Sequence, residues 1–348
     1  MTAIPPPSNT TATAIYNLHE QRGGNEVPRD YLGMSEIGEP CERYLWLKFR
    51  MAFKEKIEGR ILRLFDTGHR EETRVLNELR ELGYKVESAD PKTGEQFEAL
   101  SCGGHFRGHL DAKVTGLPEA PKTKHLVDVK TINVKKFTEL LKNGMEKTYP
   151  KYWAQGHEYM GHEKLTRAVF IFVCKDNDSI HIERFGFDQA VFDKYEARAK
   201  RIIFSDRMPE PISHDPSWWQ CSYCPAREFC HETKLTRQVN CRTCLHSTAM
   251  PGGGWHCKRF NDLVPFDFQQ TGCDGHVLHP DLVPWPIKPG PDEFTAVYEI
   301  DGYDVSNGEP DATVFASREI LANPSACANP SELMQEVKRV FPGAEVVG

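Results

Sequence analysis

Residues 105–131 read HFRGHLDAKVTGLPEAPKTKHLVDVKT, and this stretch decides the fold. Two apolar-alternating runs flank a loop over 116–124 that contains Gly, Pro and Lys, which predicts a pair of antiparallel strands. The first run carries Asp111, and the second carries Asp128 with Lys130 two residues further on. Because successive side chains alternate between the two faces of a strand, Asp128 and Lys130 point the same way. The hairpin is expected to bring Asp111 close to Asp128.

Two acids inside a sheet indicate a cation site. A buried carboxylate is unfavourable unless it is paired or coordinates a cation, and hard oxygen ligands suit Mg²⁺ or Mn²⁺. Such an ion can polarise a phosphate oxygen and acidify a bound water, while a lysine on the same face can stabilise developing charge. A lone D-x-K is more often a surface ion pair, so the surrounding sequence has to decide between the two interpretations.

Helical patterns lie on both sides of this hairpin. Apolar periodicity predicts a helix over 57–82, which carries His69 and Glu72 three residues apart on one face. A second helix is predicted around 152–162, where Gln155 and Tyr159 are four apart and share a face. The order helix, strands, helix, strands, helix predicts an α/β fold with a mixed central sheet flanked by helices.

The cysteines are unusual for this kind of chain. The sequence has 11 cysteines, and its Pro/Thr-rich start lacks the pattern of a secretion signal, which predicts a cytoplasmic protein with reduced thiols. Clustered cysteines then indicate metal binding. Cys221, Cys224 and Cys230 are spaced C-x2-C-x5-C, and Cys41 is the natural fourth ligand. By spacing alone, four thiolates suit a [4Fe–4S] cluster or zinc.

A second cysteine group follows closely. It has a C-x2-C pair and two later cysteines, which together make a complete tetrahedral set for zinc, with His276 or His246 as substitutes: Cys241, Cys244, Cys257 and Cys273. We therefore expect a structural zinc-like module, a Cys-rich metal-binding C-terminal extension to the α/β fold. The other cysteines, Cys102, Cys174 and Cys327, are interpreted as ordinary thiols.

Overall charge gives little information about partners. The net charge is −7, with 39% hydrophobic and 27% charged residues, and no apolar run reaches the roughly 18 residues of a membrane span. Residues 122–151, in contrast, hold eight lysines and three acidic residues. This window fits either a solvated surface or a positive surface beside a nucleic-acid site, with Lys135, Lys136 and Lys142 as candidate contacts to a DNA backbone.

The motifs together resemble a known family. G-x-x-D from Gly108, then D-x-K from Asp128, then Q-x-x-x-Y from Gln155 is similar to the pattern of the PD-(D/E)XK nuclease superfamily. The layout resembles its RecB-like branch, in particular the CRISPR-associated iron–sulfur exonucleases and their phage relatives, over roughly residues 35–230. The family places a His or Glu on the preceding helix a few residues after a glycine. Here Gly68 is followed at once by His69 and, four residues on, by Glu72, and the choice between the two stays open.

The resemblance implies a restriction-endonuclease-like fold and a set of roles. Asp111 and Asp128 would be ligands of Mg²⁺ or Mn²⁺, the carbonyl of Val129 would complete the metal shell, and Lys130 would be the catalytic lysine. Gln155 and Tyr159 would face DNA or support the lysine. Because Cys41 precedes Arg43 and pairs with a later triplet, as in the iron–sulfur nucleases, the resemblance favours a [4Fe–4S] cluster over zinc at the first cysteine group.

The predicted function is that of a metal-dependent DNA nuclease. An exonuclease on single-stranded DNA or duplex ends is favoured over a sequence-specific endonuclease, with partners in recombination, CRISPR or phage replication and none in a membrane. One alternative is a catalytically inactive nuclease-fold protein that binds nucleic acid or acts as a scaffold, and another is a zinc adaptor. The predicted organisation is a flexible leader over 1–30, the nuclease domain over 31–235, the cysteine-rich module over 236–284 and a small α/β segment over 285–348.

Overall fold

The computed structural model describes residues 10–24, 29–55, 57–341 and 343–344. Its helices are α1 Thr11–Gly24, α2 Glu42–Phe49, α3 Gly59–Glu81, α4 Val134–Asn143, α5 Met145–Thr148, α6 Pro150–Glu163, α7 Gln189–Ile203, α8 Trp219–Ser222, α9 Phe266–Gln269, α10 Ser317–Ala322, α11 Pro324–Ala328 and α12 Glu332–Val340. Its strands are β1 Leu32–Gly33, β2 Lys85–Glu87, β3 Glu98–Ser101, β4 Phe106–His109, β5 Ala112–Thr115, β6 His125–Ile132, β7 Arg167–Cys174, β8 Ile180–Gly186, β9 Ser247–Ala249, β10 Trp255–Cys257, β11 Asp262–Val264, β12 Ile287–Pro289, β13 Ala296–Ile300, β14 Tyr303–Asn307 and β15 Val314–Phe315.

A five-stranded mixed sheet forms the centre of the fold, in the order β2-β5-β6-β7-β8. The β6–β7 pair is parallel and the other pairs are antiparallel. Strand β7 is rich in β-branched and aromatic residues and is buried along all but its first residue, as expected of a strand covered on both faces. The predicted mixed α/β fold is therefore confirmed.

Helices cover both faces of this sheet. On one face, Val75 and Leu76 of α3 pack with Val127 and Val129 of β6. On the other face, β6 and β7 share the largest apolar core with α6 and α7. Alternation along β6 thus directs Val127 and Val129 toward α3 and leaves Asp128 and Lys130 on the α6 side, as predicted.

The first apolar run of residues 105–131 is two strands and not one. Strand β4 pairs with β1 and β3 in a separate three-stranded sheet, whereas β5 belongs to the central sheet. The chain passes from one sheet to the other at Leu110 and Asp111. Asp111 was expected inside a strand, but it lies at this junction, where its side chain is free to turn toward the neighbouring β6.

The N-terminal segment also differs from the prediction of a flexible leader over 1–30. Thr11–Gly24 forms α1, and Glu20 accepts a 2.8 Å hydrogen bond from the N–H of Gly59 at the start of α3. Gly59 fits here because an added Cβ would lie 2.0 Å from the carbonyl oxygen of Tyr16. Residues 1–9 and 25–28 of the predicted leader lie outside the described residues.

The cysteine-rich segment shares cores with its neighbours on both sides. Its Ala249, Trp255 and Leu282 belong to the main core, while Val277 and Leu278 pack with the C-terminal sheet of β12 to β15. The predicted boundaries at 235/236 and 284/285 therefore do not separate independent cores.

One buried arginine links this segment to the N-terminal part of the chain. Arg242 is 2% exposed, and its guanidinium donates to the carbonyls of Asp30 and Phe49 and to Gln269, each at 2.9 Å. Its own carbonyl accepts from Arg50 at 3.2 Å. Among the described residues, no helix is long and apolar enough to span a membrane.

Candidate active site

The two aspartates and the lysine of the opening stretch converge as predicted. Oδ2 of Asp111 accepts a 2.9 Å hydrogen bond from the N–H of Val129, the residue between Asp128 and Lys130. Lys130 Nζ lies 2.6 Å from Asp128 Oδ1. The antiparallel register of β5 and β6, which pairs Ala112 with Val127, produces this approach. The role predicted for the carbonyl of Val129 stays a prediction, because the contact observed is made by its N–H.

The carboxylates of this cluster repel one another, and Lys130 does not fully offset their negative charge. Asp128 is fully buried, and burial followed by the nearby Asp111 raises its pKa to about 7 despite the lysine. Burial and then Asp111 also raise the pKa of Glu72. A divalent cation would relieve this repulsion, and the all-oxygen donor set suits Mg²⁺ or Mn²⁺. The residues present therefore fit the ion that the acids predict.

The carboxylates at the cleft lie farther apart than the ligands of a metal site in which every ligand comes from the protein. Among the described residues, the single group of three His, Cys, Asp or Glu ligand atoms within 4.8 Å of one another lies elsewhere, on α6 and α7. Mg²⁺ is commonly held by one or two carboxylates and keeps several waters. The spacing in the cleft is compatible with that kind of site and not with a protein cage.

Lys130 remains a cation in this environment. Burial acts to lower its pKa, but Asp128 and Asp111 outweigh that effect and the pKa is raised. The ammonium also lies 5.0 Å from the centre of the Tyr152 ring. A lysine held in this way can stabilise negative charge but cannot act as a general base.

Gln155 of α6 contacts both Asp128 and Tyr159. Gln155 Nε2 donates to Asp128 Oδ2 and to the hydroxyl of Tyr159, both at 3.2 Å. Of the two, only Gln155 bonds the aspartate, and the expectation that both residues face DNA or support the lysine stays a prediction. The Oε1 atom of Gln155 is buried without a hydrogen-bond partner, which leaves an acceptor available for a water or a substrate group.

A cleft of about 460 Å³ opens over this cluster. His69 and Glu72 both reach it from α3, with His69 exposed and Glu72 half-buried. Glu72 interacts electrostatically with Asp111 and Lys130, whereas His69 acts on Glu72 and lowers its pKa. Glu72 is thus better placed to complete a cation site, and His69 lies at the mouth of the cleft.

Several residues of the cleft were not singled out by sequence reasoning. They are polar or aromatic and come from the segments on both sides of β1, from the loop before β3 and from β4: Arg29, Tyr31, Ser35, Gln96, Arg107 and His109. The guanidinium of Arg107 lies 5.5 Å from the centre of the Tyr31 ring, and that of Arg29 lies 5.9 Å from it. The signal was present, because HFRGH and RDY place arginines beside the predicted motifs.

The lysines proposed for DNA binding lie elsewhere. Lys135, Lys136 and Lys142 are exposed on α4, and none of them lines the cleft. Lys136 is paired with Glu139 at 2.8 Å. Arg29 and Arg107 line the cleft instead, and Lys130 is paired with Asp128.

The structure brings the first cysteine group together. Cys41 precedes α2, and its thiol, after burial, contributes to the raised pKa of Cys221. Burial and the other thiols of the group raise the pKa of Cys224 to about 11. Burial raises the pKa of Cys230, although the nearby Arg43 acts to lower it. Four interacting thiols with an arginine beside them are suited to bind a cationic metal group, which would favour the thiolates.

The second cysteine group surrounds a cleft of about 380 Å³, and all four of its thiols line it. Burial and then Cys244 raise the pKa of Cys241 to about 12. His276, the predicted substitute ligand, also lines this cleft, and its role as a ligand stays a prediction. Its ring nitrogens contact the hydroxyls of Thr243 at 3.2 Å and Ser317 at 2.8 Å, and burial lowers its pKa to about 3.

Comparison with known proteins identifies one family. A sequence-family profile described as the PD-(D/E)XK nuclease superfamily matches residues 24–231. No curated protein matches the chain. Similar solved structures include that of SSO0001, with 12% identity over 64% of this chain and 96% of that chain and a TM-score of 0.40.

Two further similar structures are of proteins described as exonucleases. The alkaline exonuclease LHK-Exo from Laribacter hongkongensis shares 15% identity over 53% of this chain and 90% of that chain, with a TM-score of 0.33. A phage related exonuclease from Haemophilus somnus 129PT shares 17% identity over 38% and 68%, with a TM-score of 0.26. At these scores the family assignment rests on the sequence profile.

Proposed function

Because the chain belongs to the PD-(D/E)XK nuclease superfamily, we propose that it is a metal-dependent deoxyribonuclease. The observation that carries this proposal is the convergence of Asp111, Asp128 and Lys130, in which Asp111 lines the cleft and is hydrogen-bonded to the peptide between the other two. The carboxylate of an ordinary surface ion pair would not be fully buried as Asp128 is, and such a pair would not bring a second carboxylate to the same point.

Each side chain has a role that follows from its contacts. Asp111 and Asp128, with Glu72 at the edge, would hold Mg²⁺ or Mn²⁺, which when bound polarises a phosphate oxygen and acidifies a water. Lys130 stabilises the negative charge that develops on the phosphate as the DNA 3′-oxygen leaves. Gln155 keeps Asp128 oriented through its 3.2 Å hydrogen bond. Arg29 and Arg107 are suited to bind backbone phosphates at the cleft wall.

The size of the cleft supports a single strand or a frayed end as substrate. Its volume of about 460 Å³ falls in the range of small-ligand sites, which suits part of one strand more than an intact duplex. Exonuclease action on single-stranded DNA or duplex ends is therefore the form of activity that we propose.

Cleavage of labelled DNA tests the proposal. Wild-type protein with Mn²⁺ is expected to degrade linear single-stranded DNA and to leave circular single-stranded DNA intact, while Asp128→Ala is inactive. Asp193→Asn, an exposed acid on α7, is the matched control and is expected to retain activity. Cleavage of the circle would make the protein an endonuclease. DNA binding without cleavage in the wild type would overturn the enzyme proposal and favour the scaffold.

The two cysteine groups are proposed to bind different metals. The Cys41, Cys221, Cys224 and Cys230 set would hold a [4Fe–4S] cluster that ties α2 to the end of the nuclease region, which makes the protein of the RecB-like iron–sulfur type. The second group would hold structural zinc. Anaerobically purified protein is expected to be brown with four irons and four sulfides per chain, as the cluster formula requires. Cys41→Ser should lose the colour and keep the zinc, while a colourless wild type that contains only zinc would overturn the cluster.

The cytoplasmic location and the partners in recombination, CRISPR or phage replication stay predictions. Pull-down from the source cell, followed by identification of bound proteins, tests the partners independently of catalysis.

A further inference from the structure

Helix α6 carries a second cluster of metal-ligand type, away from the acids of the cleft. His162 Nε2 lies 2.9 Å from Glu196 Oε1 of α7 and 3.6 Å from Glu158 Oε2 on its own helix. One ligand atom from each of these three residues lies within 4.8 Å of the other two. None of the three lines the cleft that holds Asp111.

The Glu158 carboxylate lacks the proton or cation that its burial requires. Its side chain is completely buried, and neither carboxylate oxygen has a hydrogen bond of acceptable geometry. A buried carboxylate in that state is strongly unfavourable unless a proton or a cation joins it. The charges facing it come from two helices: His162 of α6, and Glu196 of α7 with Lys200 at 3.6 Å from the second carboxylate.

Strand β3 closes another side of the cluster. Ser101 Oγ donates a 2.8 Å hydrogen bond to Glu196 Oε2 and lies 3.7 Å from the sulfur of Cys102. Glu196 therefore already has one oxygen satisfied and presents the other to His162. Cys102 borders the cluster as a further thiol of suitable type.

We propose that Glu158, His162 and Glu196 bind a divalent transition-metal ion of the zinc class. One imidazole and two carboxylates form a donor set that zinc accepts, and ligands at about 2.0–2.1 Å from a tetrahedral ion lie roughly 3.3 Å apart. The observed separations of 2.9 and 3.6 Å bracket that spacing. The ion takes the place of the proton on His162 Nε2, and a water or Cys102 completes its shell.

Such an ion would fasten α6 to α7. Gln155, which donates to Asp128 and to Tyr159, lies with Tyr159 on the same helix within one turn of Glu158. The bound metal is thus a positioning element for the cleft and not a catalytic group. The inference goes beyond the nuclease proposal, because metal binding here does not require DNA cleavage.

Metal analysis of the full-length protein tests the site. Wild type is compared by elemental analysis with Glu158→Gln, His162→Gln and Glu196→Gln after equilibration with Zn²⁺. Each variant is expected to contain one zinc fewer per chain than the wild type. The control is Glu163→Gln, on the same helix but paired with Lys113 at 2.5 Å, and it should keep the full content. Equal zinc content in all five proteins would overturn the proposal and leave a proton-linked cluster.

A second measurement, of the melting temperature, tests the site where some of these variants fold poorly. Addition of Zn²⁺ to metal-stripped wild type is expected to raise its melting temperature, since ligands that bind only the folded state stabilise it. His162→Gln, which removes the imidazole that contacts both carboxylates, should show a smaller rise. An identical rise in both proteins would assign the effect to the cysteines and contradict the site. A smaller rise with intact DNA cleavage would support the site independently of the nuclease proposal.

Discussion

Lowering the pH is expected to weaken Mn²⁺ binding at the cleft, because Asp128 must lose its proton before it can bind a cation. Burial and the neighbouring Asp111 raise the pKa of Asp128 to about 7. The sign follows from the raised pKa: the neutral carboxyl predominates below about pH 7, and the metal-binding carboxylate predominates above it.

The magnitude follows from the titration of one group. With a pKa of about 7, roughly nine in ten Asp128 side chains are protonated at about pH 6 and one in ten at about pH 8. The apparent affinity for Mn²⁺ should therefore fall about tenfold between these conditions, which corresponds to about 1.4 kcal/mol. Binding near pH 6 should also release close to one proton per ion.

Calorimetric titration in pairs of buffers with different ionisation enthalpies measures both quantities. Asp128→Asn is expected to abolish binding at the cleft. Glu158→Gln is the second control, because burial raises the pKa of that carboxyl to about 7 as well, and a pH dependence that survives in this variant belongs to Asp128. An affinity that is constant between about pH 6 and pH 8, with no proton released, would refute the reasoning.

Three further substitutions separate the roles assigned above. Lys130→Met should lower the cleavage rate at least about 100-fold and leave the Mn²⁺ affinity within a few fold, as measured by single-turnover cleavage and calorimetry. An equal loss of both would mean that Lys130 only pairs with Asp128 and does not stabilise charge on the phosphate. Gly108→Ala places a Cβ 2.3 Å from a ring carbon of Tyr159 and should lower the free energy of unfolding by about 1–3 kcal/mol in denaturant titrations, whereas Gly252→Ala, with open space around it, should not. His276→Ala removes one hydrogen bond from each of two buried hydroxyls and should cost about 1–3 kcal/mol of stability with the zinc content unchanged. A loss of zinc would instead make His276 a ligand.

Local patterns predicted the parts of the site that lie on regular elements. Alternation along β6 placed Asp128 and Lys130 on one face, and a spacing of four placed Gln155 and Tyr159 together on α6. These inferences succeeded because the side-chain period of a strand or helix is fixed by backbone geometry. The same reasoning joined β4 to β5, because nothing in the pattern around Asp111 marks the change of sheet.

Tertiary contacts account for what the sequence did not indicate. Helix α1 has little apolar periodicity, and it is held in part by a hydrogen bond from Gly59 to Glu20. The hydrogen-bond partners of the His276 ring, Thr243 and Ser317, are 33 and 41 residues away. Such long-range pairs leave no periodic signal in a single sequence, and the Glu158 cluster was missed for the same reason.

Because Arg242 donates hydrogen bonds to the N-terminal part of the chain, we expect that residues 1–235 do not fold as an autonomous fragment. A chain cut after residue 235 would leave the carbonyls of Asp30 and Phe49 without this donor and would uncover the apolar surface on which Trp255 packs. Buried acceptors without donors and a newly exposed aromatic surface both favour aggregation. The parts before and after residue 235 should therefore unfold in one cooperative transition. The cysteine-rich segment then contributes to the stability of the N-terminal part and is not an independently folding unit.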